Sequence, residues 1–286
     1  MIVTPYQDAS AFLEKVEAYL EQNEALNGLM LGLAFRLAQF ASEIKIPPFL
    51  ATIADEAGLG GVALMTPPHK LIVYSNRQDV SKALMVLAHY LHQSDWTFPA
   101  VLGLAPVAEA FARIWAELTA TTYEVGMRQR VFELRQVQHP TYPSGQLRLA
   151  TDVDLTLITE WIIAFHEEAL EPIDWTTGRE IANGHIRQGD IYVWEDDVSV
   201  SMAAKVRPTR NGMAISLVYT PPDLRQRGYA TACVASLSQM LLDEGWQFCT
   251  LFTDLANPTS NSIYRKIGYK PVGDFHDYLF ITAGTA

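Results

Sequence analysis

The stretch Ala214-Ile-Ser-Leu-Val-Tyr219-Thr-Pro-Pro-Asp-Leu-Arg225-Gln-Arg-Gly228-Tyr-Ala-Thr231 sets a strand, a stop and a helix start in close succession. Ala214 to Tyr219 is an apolar run bounded by turn residues, which reads as a strand. Pro221 and Pro222 end it, because neither can donate to a ladder. A helical pattern then runs to about Asp243. A chain with this order of elements calls for an α/β (α+β) layout.

The loop between strand and helix carries Arg225-x-x-Gly228-x-Ala230. Successive backbone N–H groups point outward at a helix start, and the helix dipole adds to them. Gly228 lets a phosphate approach without meeting a side chain. A diphosphate is therefore the expected guest. The loop is not a Walker A motif, since no Gly-Lys-Ser/Thr follows, and only one of the three glycines of a dinucleotide fingerprint is present. A helix start with two exposed arginines is the plain structural alternative.

The 286 residues are 49% hydrophobic, enough for two domains of ordinary size. Formal net charge is -11. Such a chain repels nucleic acid and anionic membrane as a whole and attracts amines. An anionic cofactor would need a local basic patch, and Arg225 with Arg227 supplies one. Two cysteines, Cys233 and Cys249, lie in apolar runs and read as buried small hydrophobes. No zinc spacing is present, and no metal is expected. The first residues lack a basic start and an apolar core, so no signal peptide is expected. Leu29 to Ala41 is too short to span a bilayer and is broken by Arg36. A cytoplasmic protein is the default expectation.

Along the chain, residues 7–22 and 24–42 read as helices, and Pro47-Pro48 breaks the second. Strands are expected at Phe49–Asp55, Gly61–Thr66 and Leu71–Ser75, then a helix over 79–93. Ala100–Leu104 reads as a strand, Pro106–Leu118 as a helix and Thr122–Val137 as extended structure. The second half starts a strand at Leu147–Ala150 and a helix over 152–168. A hairpin at Ile191–Glu195 and Val198–Val206 precedes the strand, loop and helix described above. A strand at 248–253, a helix over 258–267 and a last strand near Phe275–Thr282 complete it. The order of elements is similar in the two halves, so the chain reads as two copies of one architecture. The expected domains are 1–140 and 146–286, joined by the turn-rich His139–Gly145.

Downstream of the second buried strand, Cys249–Asp254, lies Asn257-Pro-Thr-Ser260-Asn261-Ser-Ile-Tyr264-Arg-Lys-Ile-Gly268-Tyr269. The pair of motifs resembles the GNAT superfamily of acyl-CoA-dependent N-acetyltransferases over roughly residues 146–282. That superfamily carries a Q/R-x-x-G-x-G/A loop after its fourth strand. After the fifth come an Asn-Pro, a helix with a tyrosine and a Gly-Tyr or Gly-Phe. The resemblance implies a GNAT fold, a mixed central sheet flanked by helices, here in tandem. The first copy departs from it: after Leu71–Ser75 comes Asn76-Arg77-Gln78-Asp79-Val80, with no glycine and with an acid that would repel phosphate. That half is expected to be a degenerate GNAT-like domain.

The resemblance implies acetyl-CoA as co-substrate and acyl transfer to a primary amine of a small molecule or a protein. The cofactor residues would be Arg225, Gln226, Arg227, Gly228, Tyr229, Ala230 and Thr231 in the loop. Val218, Tyr219 and Thr220 would serve on a strand that splays from its neighbour, with Val218 and Thr220 meeting acetyl-CoA by main chain. Asn257, Ser260 and Asn261 would hold the pantetheine or cap the helix. Tyr264 would protonate the leaving thiolate, a phenol near pKa 10 doing so in a positioned transfer; packing on the cofactor is its alternative role. The general base is unread among Glu195, Glu167, Glu168 and Asp254, or a water chain. His185 and His276 read as structural or pocket-lining. Two other readings remain: a non-catalytic acyl-CoA-binding module, and a tandem transferase using aminoacyl-tRNA, which the charge of -11 disfavours. The chain is expected to act as monomer or homodimer, without nucleic acid or membrane.

Overall fold

The structure is a computed structural model that describes residues 1–138 and 141–281. His139 and Pro140 of the expected linker, and Thr282 at the end of the expected last strand, lie outside the described residues. The chain divides into two units. One comprises Met1–Val131, Asp254–Ala256 and Val272–Ala286; the other comprises Phe132–Thr253 and Asn257–Pro271. Sequence reasoning put the boundary at 140–146. The division in space falls before that and is interrupted, because the end of the chain groups with the first unit.

The first unit runs β1 (Ile2–Pro5), α1 (Ala9–Glu21), α2 (Glu24–Gln39), β2 (Phe49–Asp55), β3 (Gly58–Met65) and β4 (Leu71–Tyr74). It continues with α3 (Ser81–Gln93), β5 (Ala100–Leu104), α4 (Ala105–Thr119) and β6 (Thr122–Leu134). Asp8 caps α1, its carboxylate accepting from the N–H groups of Ser10 and Ala11. The helix buries Phe12, Val16, Tyr19 and Leu20 on one face. β2, β3 and β4 form an antiparallel meander, and β4 pairs parallel with β5. β1 pairs antiparallel with β2 and was not legible beforehand, since its four residues are mostly exposed and carry no apolar alternation. Phe49, Ile53, Met65, Leu71, Leu87 and Phe111 fill the core, each contributing about 1.5–3 kcal/mol on burial.

A late strand, β12 (Lys270–Ile281), pairs antiparallel with β5 from Phe275↔Leu104 to Leu279↔Ala100. The strand order of this unit is β1-β2-β3-β4-β5-β12-β6. Asp277 of β12 is almost wholly buried, where it accepts from Lys70 Nζ and from the N–H of Met127. Gly126 makes room, as a Cβ there would lie 1.9 Å from Asp277 Oδ1. Arg130 and Asp274 form a bidentate pair at 2.7 and 2.8 Å along the same strands.

The second unit runs β7 (Gln146–Leu149), α5 (Leu155–Ala169), α6 (Trp175–Gln188), β8 (Ile191–Asp196), β9 (Val198–Val206) and β10 (Gly212–Tyr219). α7 (Tyr229–Asp243), β11 (Phe248–Asp254) and α8 (Pro258–Ile267) follow. Its strand order is β11-β10-β9-β8-β7. With β12 included, the succession from β7 onward matches the succession β1 to β6 element for element, so one architecture is written twice. Two apolar clusters flank this sheet. One packs Val234 and Leu237 of α7 with Tyr264, Ile267 and Tyr269. The other packs Ile158, Trp161 and Ile162 of α5 with Met202, Leu217 and Tyr219.

Candidate active site

The site begins with a defect in β10. Its ladder with β9 runs Ala214↔Val206, Ile215↔Lys205, Ser216↔Ala204, then jumps to Tyr219↔Met202. Three steps on one strand against two on the other make a bulge of one residue, at Leu217 and Val218. Leu217 sits at φ +52°, in the left-handed region. On the other edge β10 pairs parallel with β11 only from Gly212↔Phe248 to Ala214↔Thr250. The two strands part beyond that point. Gly212 permits their close start, because a Cβ there would lie 2.1 Å from the Phe248 ring.

The end of β10 is fixed from below by Ser201 of β9. Its hydroxyl donates to the Tyr219 carbonyl at 3.0 Å and lies 2.9 Å from the Thr220 hydroxyl. The Thr220 side chain is therefore committed to the sheet, and its carbonyl accepts from Arg225 Nε at 2.9 Å. Ser201 had no sequence signal: a serine in an otherwise apolar strand looks like any other interior small residue.

After one 3-10 turn over Pro222–Leu224 the chain enters the glycine loop. Gln226 has φ +65° and Gly228 φ +86°. Arg225, Gln226, Arg227 and Gly228 are all exposed. Gly228 is the residue preceding α7, and no side chain caps that helix. The first N–H groups of a helix have no acceptor within it, so those of α7 face the loop with the positive end of the dipole. A carboxylate or phosphate group fits there. Tyr229 turns inward, its hydroxyl donating to Asp196 at 2.7 Å and holding that carboxyl below the usual range. Ala230 and Thr231 are half-buried in the first turn.

The two arginines of the loop differ. Arg225 is engaged: Nη2 lies 2.7 and 2.8 Å from the two carboxylate oxygens of Glu168, and the guanidinium sits 5.7 Å from the centre of the Tyr219 ring. Arg227 donates from Nη2 to the Asp223 carbonyl at 3.0 Å. The pairing of Arg225 with a carboxylate on α5 was not legible, since the partners are 57 residues apart.

Tyr264 lies on α8 with its ring 6.0 Å from Tyr269 and 6.4 Å from Phe132. Burial pushes its phenol well above the ordinary value, so the neutral, proton-bearing form is favoured. It shares a cluster with Val218, the half-buried residue of the bulge. Asn257 caps α8, its side chain accepting from the Ser260 N–H at 3.0 Å, with Pro258 at the first helical position. Asn261 Nδ2 donates to the Asn257 carbonyl at 2.7 Å. The three residues thus act on the helix start. Ser260 and Asn261 are half-buried and Asn257 is exposed.

Of the carboxylates weighed as base, Glu195 is paired with Arg148, Glu168 with Arg225, and Asp254 accepts from the Ala256 N–H at 2.8 Å. Glu167 is exposed on α5. His185 pairs with Asp190 at 2.7 Å, tying α6 to β8. His276 lies on β12 in the first unit. Both cysteines are buried, with thiols pushed up to about 12. Among the described residues no group of three or more His, Cys, Asp or Glu could hold a metal ion, and no helix is long and apolar enough to cross a membrane.

The first unit closes the matching place. After β4, Asn76 takes a hydrogen bond from the Tyr19 hydroxyl at 2.8 Å and gives its own N–H back at 3.1 Å. Asp79 Oδ1 accepts from the Ser81 N–H at the start of α3. A carboxylate already satisfies that helix end, and the loop carries no left-handed glycine.

A bulged fourth strand of the meander, parting from its parallel neighbour beside an uncapped glycine-led helix, defines the GNAT fold. Residues 196–278 match the family model described as "FR47-like protein". A Drosophila protein aligns with TM-score 0.67 at 14% identity, covering 97% of this chain and 98% of that one. A GCN5-related N-acetyltransferase from Sphaerobacter thermophilus gives 0.61 at 13%, over 97% and 94%. A tandem GNAT protein from the clavulanic acid biosynthesis pathway gives 0.58 at 13%, over 100% and 99%. No curated protein matches the chain significantly. These likenesses show that the chain carries the GNAT fold, here written twice.

Proposed function

We propose that the second unit transfers an acetyl group from acetyl-CoA to a primary amine of a small molecule or protein. The observation that carries this reading is the conjunction at β10: the parting of two parallel strands, and beside it an uncapped helix start led by a left-handed glycine. The residues fit the cofactor. Backbone amides of Gly228, Tyr229, Ala230 and Thr231 would take the diphosphate, with Gln226 shaping the loop and Arg225 and Arg227 adding charge. Main-chain groups of Val218, Tyr219 and Thr220 would line the pantetheine, and Asn257, Ser260 and Asn261 would frame its far side. The cofactor supplies an activated acyl group as a thioester.

The chain's own part is to hold, polarise and protonate. A backbone N–H at the bulge would polarise the thioester carbonyl, a role typically worth about 3 kcal/mol of barrier. Tyr264 would pass its proton to the thiolate only in a concerted, positioned transfer, since burial disfavours the free phenolate. Bulk water would take up the amine proton if no carboxylate does. The test is release of free thiol from acetyl-CoA across a panel of amines, with calorimetric binding of coenzyme A alongside. Binding with no release on any amine favours a non-catalytic acyl-CoA-binding module, a reading helped by the engagement of Glu195, Glu168 and Asp254. No heat with coenzyme A removes both. A charge of -11 weighs against aminoacyl-tRNA as donor, and a cytoplasmic monomer or homodimer is the setting we infer.

A further inference from the structure

α5 is fastened to the cofactor side of the second unit at two places. Trp161 packs 6.3 Å from the Tyr219 ring at the end of β10. Two helical turns on, and so on the same face, Glu168 grips Arg225 Nη2 with both oxygens. Arg225 in turn holds the Thr220 carbonyl and lies over Tyr219. The two fastenings are unlike each other. Trp161 is buried, whereas the Glu168–Arg225 pair is roughly two-fifths exposed on each side. An exposed pair of this kind is weakly held and screened by salt.

Arg225 stands three residues before Gly228, and its guanidinium offers the fork geometry that suits phosphate as well as carboxylate. A diphosphate arriving at the loop meets an arginine that already has an anion. We propose that Glu168 is a positioning residue that competes with the cofactor's phosphates for Arg225, so that cofactor binding releases the last turn of α5 and the segment Leu170–Asp174 behind it. Ile158, Trp161 and Ile162, packed with Leu217 and Tyr219, keep the rest of α5 in place. The segment so freed carries the exposed Leu170 and leads into the exposed Trp175. This inference rests on the reading that the loop binds coenzyme A.

The experiment is calorimetric titration of coenzyme A into the full chain and into Glu168→Gln, Glu168→Asp, Arg225→Gln and the double variant Glu168→Gln/Arg225→Gln. Hydrogen exchange of residues 164–175 is followed with and without coenzyme A. Competition predicts that Glu168→Gln tightens binding by about two- to fivefold, the scale of an exposed pair. Glu168→Asp should stay near the parent, and Glu168→Gln should have no effect once Arg225 is removed. Exchange at 164–175 should rise on adding coenzyme A to the parent and be high from the start in Glu168→Gln. If Glu168→Gln binds coenzyme A unchanged or more weakly, the competition is overturned while the functional reading stands. If the parent chain gives no heat with coenzyme A, it is the functional reading that falls.

Discussion

Tyr264 and Gly228 ask different things of the same site. Burial keeps Tyr264 neutral, so Tyr264→Phe removes one oxygen and leaves the ring packing intact. Turnover should fall about a hundredfold, the lower end of what a positioned acid contributes, with coenzyme A affinity within about twofold; an unchanged rate takes Tyr264 out of the acid role. The sign of the pH effect follows from the raised pKa. Its contribution to stability is intact below the free phenol value near 10 and declines as pH rises toward the folded-state value. Gly228→Val sets a branched side chain at φ +86°, a conformation that disfavours any Cβ. Coenzyme A binding should weaken by about tenfold or more, equal to 1.4 kcal/mol. The glycine was legible because its type and place state its role. The Glu168–Arg225 pair was not, because nothing local says which carboxylate folds back onto the loop. Asn257 was legible as far as its cap, since Asn before Pro before a helix is a local arrangement.

At the scale of elements, β7 is an edge strand held by one arginine. Arg148 meets Asp154 at 2.8 and 2.9 Å, Glu195 beside it, and the Ser199 hydroxyl at 3.0 Å. Arg148 first, and then the Thr151 N–H, keep the Asp154 carboxyl below its ordinary range. That contribution is present above the unfolded carboxylate value near 3.9 and is lost as pH falls through the folded value. The urea midpoint of the parent should therefore drop between pH 5 and pH 3 by more than that of Arg148→Met, whose stability at pH 7 should be lower by about 1–3 kcal/mol. Equal acid sensitivity in the two proteins would show that Arg148 does not hold β7. Most helices and strands were placed well by periodicity and prolines, but β1 and the largely polar α6 were not. The bulge in β10 was not visible in the letters: Leu217 and Val218 continue an apolar run, and only the register against β9 shows the extra residue.

For the whole molecule, the doubled succession of elements was readable in the order of helices and strands although the residues hardly repeat. What was unreadable is the destination of the last strand. Lys270–Ile281 has the pattern of any half-buried strand, and its pairing with β5 is decided by packing of Phe275 and Tyr278 and by Asp277 against Lys70. A chain ended at Pro271 should keep hydrogen-exchange protection in β8, β9 and β10 and lose it in β4 and β5. Uniform loss or uniform retention would contradict the division into units.

That return of the chain's end has a consequence on the ribosome. Val131 is translated about 140 residues before Val272, a delay of roughly 7–28 s at bacterial-to-eukaryotic elongation speeds. Throughout that wait β5 lacks its eventual neighbour, and a bare β-edge invites foreign partners. The front portion of this polypeptide cannot mature vectorially: it must linger half-made until Val272 and the residues after it have been synthesised.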